Sequence, residues 1–276
     1  MVQISQPDEA GADDSASDTT QTDFNRHRCF DLITQPAAAL TAAGAALAAG
    51  DCVVLPTDTV YGIAADASNP EAIGRLLAAK RRGRDMPPPV LIGEAAMLPA
   101  LVAEVPAAVA ELAARFWPGA LTLILRAQDG LRMELGDTHG TLAVRVPDLA
   151  VTRELLRQTG PLAVSSANLS GQPAATRVAE AITQLGDRVA VYLDGGPTPG
   201  PTGSTIVDFV STPSGRIVRA GAIPYRMLAE VTPGLTDLPV GEPTGRPMHV
   251  LPAASRPDDR TEHSIGAPPQ TNSPDA

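Results

Sequence analysis

Cys52-Val53-Val54-Leu55-Pro56-Thr57-Asp58-Thr59-Val60-Tyr61-Gly62 is a short apolar run that stops at a proline and opens into a turn carrying three hydroxyl side chains and one carboxylate. Four consecutive apolar residues bounded by breakers read as a buried strand, Cys52–Leu55. Open α/β sheets place their ligand groups just past the C-terminal ends of such strands. The same Thr and Asp side chains also serve an ordinary turn by bonding their own backbone, and the segment alone does not choose between the two uses.

Working outward, Pro36 opens an alanine-rich helix that Gly50 ends, the usual order of proline at the start and glycine past the end. Downstream, Asn69 and Pro70 open a second helix to about Lys80, and Pro89–Ile92 reads as a strand. Two short helices precede strands at Leu121–Leu125 and Thr141–Val146. Asp148 is expected to cap a helix to about Thr159, Leu162–Ser165 is a strand, and Thr176 is expected to cap the next helix. Val189–Leu193, Ser204–Phe209 and Arg216–Arg219 complete the strands. Helical and strand-like periods alternate along the chain, which predicts an α/β domain whose sheet is covered by helices.

The chain has 276 residues, 43% of them hydrophobic, enough for a sizeable core. Residues 1–28 lack apolar periodicity and are rich in Asp, Ser, Thr and Gln, so they are expected to be a disordered tail; from Val231 onward, Pro, Gly, Ser and Thr predict a second one, leaving 29–230 as the folded domain. No run approaches the roughly 20 apolar residues that span a bilayer, and the acidic start does not resemble a signal peptide, so a cytoplasmic protein is expected. The only cysteines, Cys29 and Cys52, read as thiols rather than a disulfide, and the four histidines share no metal-ligand spacing. The net charge of −10 lies mostly at the ends: Met1–Arg28 has six acids against two arginines, Val231–Ala276 six against three. The middle carries −3 and contains the cluster Lys80, Arg81, Arg82, Arg84, which suits a phosphate-bearing small molecule better than a long nucleic-acid surface.

That cluster ends a predicted helix, where a single cation would merely complement the macrodipole. Four cations in five residues repel one another unless an anion compensates them, and the prolines that follow stiffen the segment. Val164-Ser165-Ser166-Ala167-Asn168-Leu169-Ser170-Gly171 again puts small hydroxyls at a strand end, suited to capping or to phosphate and carboxylate oxygens. No G-x-S-x-G elbow surrounds these serines, and the Gly/Pro-rich loop Gly195–Thr205 lacks the lysine of a Walker loop.

Taken together these segments resemble the threonylcarbamoyl-adenylate synthases, whose catalytic module is the YrdC-type domain. The resemblance runs from about Phe30 to Arg226 and rests on six motifs in order: Pro56–Gly62, Lys80 with Arg82, Trp117–Thr122, Arg145 with Pro147, Ser166–Gly171 and Ser204–Ile206. It implies a twisted, mostly open α/β sheet around a concave, positively lined cavity. It further implies that Thr59, Arg145 and Ser204 contact threonine and that Lys80, Arg82, Thr141, Ser166, Asn168 and Arg219 contact ATP. Lys80 and Arg82 are then the catalytic cations, Mg²⁺ accompanies ATP, and Asp58 is a candidate to place a metal or water. The implied reaction joins L-threonine, bicarbonate and ATP into an adenylate for tRNA modification, to be consumed by a tRNA threonylcarbamoyl-transferase. Two positions depart from the family pattern. Met86-Pro87-Pro88 stands where relatives often have Lys or Asn before Pro-Leu, and Leu91 where some have a threonine-contacting histidine. Longer relatives add a folded C-terminal domain; here the single-domain form is expected. Two rival readings are a carbamoyl-transfer module of hydrogenase-maturation type, disfavoured by the lack of Cys pairs and extra domains, and a double-stranded RNA-binding or ribosome-assembly module.

Overall fold

The computed structural model describes residues 28–237. Its centre is an open, mixed ten-stranded sheet in the order β1-β8-β2-β3-β7-β4-β6-β5-β9-β10, with β1 Cys29–Asp31, β2 Val53–Leu55, β3 Gly62–Asp66, β4 Val90–Leu91, β5 Leu121–Arg126, β6 Thr141–Arg145, β7 Leu162–Ser166, β8 Val191–Asp194, β9 Thr205–Asp208 and β10 Arg216–Arg219. Helices α1 Pro36–Ala48, α2 Pro70–Lys80, α3 Ala107–Phe116, α4 Ala150–Thr159, α5 Val178–Leu185 and α6 Tyr225–Val231 pack on it. None of the described helices is long and apolar enough to cross a membrane.

Helix ends follow local chemistry. Gly50, at φ 79°, sits just past α1, where the amide of Asp51 bonds to Ala46 O, so the chain turns on the one residue type that bears that conformation freely. Asn69 accepts from the amides of Glu71 and Ala72, and Pro70 fills the first turn of α2. The other two expected caps are corrected. Leu149 and Arg177 hold the N-cap positions of α4 and α5. Asp148 gives its amide to Asp58 Oδ1 at 3.0 Å, and Thr176 gives its amide to Glu180 Oε2 at 2.7 Å.

Three elements went unread in the sequence. β1 is only three residues long, β3 (Gly-Ile-Ala-Ala-Asp) is built of poor strand formers, and α6 lies beside the expected tail. Past Glu230, Leu235 is buried and Thr236 O accepts from the amide of Ile217. Residues 1–27 and 238–276 lie outside the described residues. Both thiols are free, and burial pushes each up to about 12.

Strand alternation sorts the core. Val54, Ile63, Val90, Ala163, Val144 and Leu123 face one layer with Leu76 of α2, Leu112 of α3 and Leu228 of α6. Val53, Leu55, Ala64, Val164 and Leu91 face the other, under Ala39, Ala43 and Leu47 of α1 and Leu155 of α4. The alanines let α1 lie close to the sheet. Further along that second face the apolar surface resumes as Ile124, Ala143 and Ile206. Arg145 lies between the two patches: it pairs in register with Leu91 and is two residues from Ala143 on β6. A polar cavity occupies this gap.

Candidate active site

The cavity has a volume of about 430 Å³; Leu91, Arg145, Ser165 and Arg219 reach it from strand ends, Thr59 from the turn between β2 and β3, and Arg82 from just past α2. No Asp or Glu is among its lining residues.

Arg145 ends β6 with its guanidinium held on three sides. Nε donates to Gly119 O at 2.9 Å, Nη1 to Thr59 Oγ1 at 2.9 Å and Nη2 to Asp58 Oδ1 at 2.6 Å. Gly119 is fixed in turn, its amide bonded to Val146 O, while Trp117 Nε1 donates to Leu121 O. Of the five N–H donors of the guanidinium, these bonds use three. The Pro56–Gly62 turn does both things that its composition allows. Thr57 Oγ1 donates to Val60 O and accepts from the amides of Thr59 and Val60, closing the turn on itself, and Thr59 is left to face Arg145 and the cavity.

Opposite, Arg219 reaches Ser204 with both arms: Nε and Nη2 donate to Ser204 O, and Nη2 also to Ser204 Oγ at 3.0 Å. Ser204 Oγ lies 2.7 Å from Thr122 Oγ1. Gly221 permits this packing, since a Cβ there would collide with the Ser204 backbone. The third cation, Arg82, donates from Nη1 to Ser165 Oγ at 2.8 Å, and its buried Nε has no partner. Burial, then Arg145 and Arg82, push Arg219 down to about 10, so the three guanidiniums share one field. Burial also lowers Arg145 against the pull of Asp58, and lowers Arg82 against that of Asp85. Three cations around a cavity without a lining carboxylate form a receptor for anions.

Of the residues expected in the site, Thr59, Arg82, Arg145, Ser166, Ser204 and Arg219 line this cavity together. Three are not among its lining residues. Lys80 is buried beneath the serine loop, its Nζ donating to Ser166 O and to Asn168 O. Asn168 turns its amide to Leu169 O and Gln172 O. Thr141 begins β6, at the opposite end from Arg145; it donates to Thr138 O and lines a separate cavity of about 320 Å³. Asp58 is engaged by Arg145 and the Asp148 amide. Ser165 is one of the strand-end hydroxyls that the sequence singles out, whereas Thr122 and Gly119 carry no expected role; both fall inside the Trp117–Thr122 motif, whose regularity is their signal. The described residues contain no group of three or more His, Cys, Asp or Glu placed to hold a metal.

The sequence profile of the Sua5/YciO/YrdC family, described as telomere recombination, matches residues 45–221. The chain belongs to the Sua5/YciO/YrdC family. Over 70% of its length it is 49% identical to a Mycobacterium tuberculosis protein named "Putative threonylcarbamoyl-AMP synthase", covering 88% of that protein. It is 40% identical to the Bacillus subtilis threonylcarbamoyl-AMP synthase over 60% of its length, and spans 48% of that relative. Among solved Sua5 structures, that of P. abyssi Sua5 complexed with L-threonine superposes with a TM-score of 0.68 at 31% identity, covering 72% of this chain and 59% of that one. As a Sua5/YciO/YrdC member the chain has the open mixed sheet that its sequence predicts.

Proposed function

We propose that this chain is an L-threonylcarbamoyladenylate synthase, a nucleotidyltransferase. Three arginines converging on one carboxylate-free cavity carry the reading, because the substrates are an amino-acid carboxylate, bicarbonate and a triphosphate. Arg145, with two donors unused, takes the threonine carboxylate, and Thr59 and Ser204 position the amino acid beside it. Arg82 and Arg219, both in the cavity wall, face the phosphates. The threonine amine attacks the carbon of bicarbonate, with loss of water, to give a carbamate. A carbamate oxygen then attacks the α-phosphorus, the bond to the bridging oxygen breaks, and pyrophosphate leaves with its charge opposed by the guanidiniums.

Ser166 presents its hydroxyl at the phosphate end, and Lys80 with Asn168 shapes the loop that carries it. Mg²⁺ enters as part of the nucleotide substrate, held by phosphate oxygens, since the cavity wall offers no carboxylate ligand. The product supplies a tRNA threonylcarbamoyl-transferase in the cytoplasm. The test is incubation of the purified chain with ATP, bicarbonate and labelled threonine. Threonylcarbamoyl-AMP and pyrophosphate should form together and vanish when any one substrate is omitted. Binding of double-stranded RNA that falls steeply with salt, without adenylate formation, would overturn the reading.

A further inference from the structure

Tyr61 is fully buried, yet its atoms bond to two other segments that border the cavity. Its amide donates to Ala175 O at 2.9 Å and its carbonyl accepts from the amide of Ala167 at 2.8 Å, fixing the ends of the serine loop. Its hydroxyl donates to Gly196 O at 2.6 Å and accepts from the amide of Gly195 at 3.1 Å. The Gly195 Cα sits so close to Pro56 that a Cβ would meet the proline ring at 2.8 Å, and Gly196 turns the chain at φ 77°. From there the strap runs to Gly203. Thr198 bonds to Thr176 O, Gly203 O accepts from Ala222, and Pro201, Thr202 and Gly203 form one wall of the cavity directly before Ser204.

We propose that Tyr61 is a positioning residue for threonine: its hydroxyl fixes the entry of the Gly195–Gly203 strap, and through the strap the placement of Thr202 and Ser204 against the turn that carries Thr59. This rests on the synthase reading above. The chemistry is one of register. Asp194 Oδ1 also accepts from the Gly196 amide at 2.9 Å and lies 3.3 Å from the Tyr61 hydroxyl, so phenylalanine keeps the ring packing and that bond while removing the two that tie the strap to the turn.

The test compares wild type with Tyr61→Phe in the full chain, by adenylate-forming kinetics, threonine titration calorimetry and hydrogen exchange without ligand. The expected outcome is a threonine KM and Kd raised about tenfold, kcat within about twofold, and exchange accelerated in 195–203 but not in 57–60. Unchanged exchange in 195–203, or a fall in kcat at unchanged KM, would overturn the proposal. Should the variant not fold, wild-type exchange alone decides: the Gly195 amide must be protected, and threonine must slow exchange across 198–203, or the coupling is absent. If wild type neither binds threonine nor forms adenylate, the synthase reading fails, while the ligand-free exchange contrast still reports whether the tyrosine holds the strap.

Discussion

Arg145 and Asp58 meet at 2.6 Å in a site where both side chains are largely buried, and the same Asp58 oxygen also receives the Asp148 amide. The guanidinium is thus aimed before any substrate arrives. Removing the charge of Asp58 leaves a buried cation with only neutral acceptors. Asp58→Asn should cost about 3 kcal/mol of stability, and the threonine carboxylate should restore part of it. The check is melting temperature with and without saturating threonine: the ligand-induced rise should be larger in the variant. Equal rises would separate the pair from the amino-acid site.

Arg145→Ala should raise the threonine requirement by roughly 10- to 100-fold, the range for charge-assisted hydrogen bonds, and that for ATP much less. Steady-state kinetics in each substrate measures the ratio. A parallel rise in both would remove Arg145 from the amino-acid end.

Lys80 and Arg82, neighbours in sequence, should part company on substitution. Arg82 lines the cavity and has one side-chain bond within the fold, to Ser165 Oγ, so Arg82→Gln should lower turnover roughly 10²-fold with little change in melting temperature. Lys80 holds Ser166 O and Asn168 O from beneath, so Lys80→Gln should melt earlier. Calorimetry and kcat on the two single variants test this, and matching profiles would refute the division.

Burial, and after it Arg82, push Lys80 from 10.5 down to about 7. Between those values the unfolded chain binds the extra proton, so stability should rise with pH across the window, by about 1.4 kcal/mol per unit at the steepest. Below about 7 the cost of burying the ammonium is present in full. Denaturant melts at several pH values for wild type and Lys80→Met should differ in slope above neutrality; parallel curves would mean that Lys80 keeps its proton.

Asn69→Ala removes a side chain that accepts from two amides at the start of α2, far along the helix from Lys80. It should cost about 1 kcal/mol and leave both substrate requirements unchanged. A kinetic defect would show that α2 transmits strain to the site.

The layers are legible in the sequence because apolar runs bounded by breakers and helix caps are local signals, as at Val53–Leu55 and Asn69. β3 is hidden because Gly62-Ile63-Ala64-Ala65-Asp66 has one good strand former, Ile63, and owes its strand state to pairing with β2 and β7 on either side. In the site, the motifs at strand ends bring Thr59, Arg145, Ser166 and Ser204 to one cavity. For Lys80 and Asn168 the sequence shows that a cation sits beside a serine loop, but not whether its ammonium points into the cavity or under the loop's carbonyls, where its bonds to Ser166 O and Asn168 O hold it. Thr141 and Arg145 are the first and last of the five residues of β6, a separation along the strand that the motifs alone do not show.

The two margins of the sheet bear on how the molecule behaves in a crowded solution. One margin is the three-residue β1 and the other is β10, whose pairing with β9 is broken by a register shift between Ile217 and Arg219. A long, flat margin would offer rows of unpaired amides and carbonyls to a second molecule, the geometry by which sheets grow into aggregates. Here the described margins are respectively too short and too irregular to act as templates, so a ten-strand array can end without recruiting an eleventh strand from a neighbour.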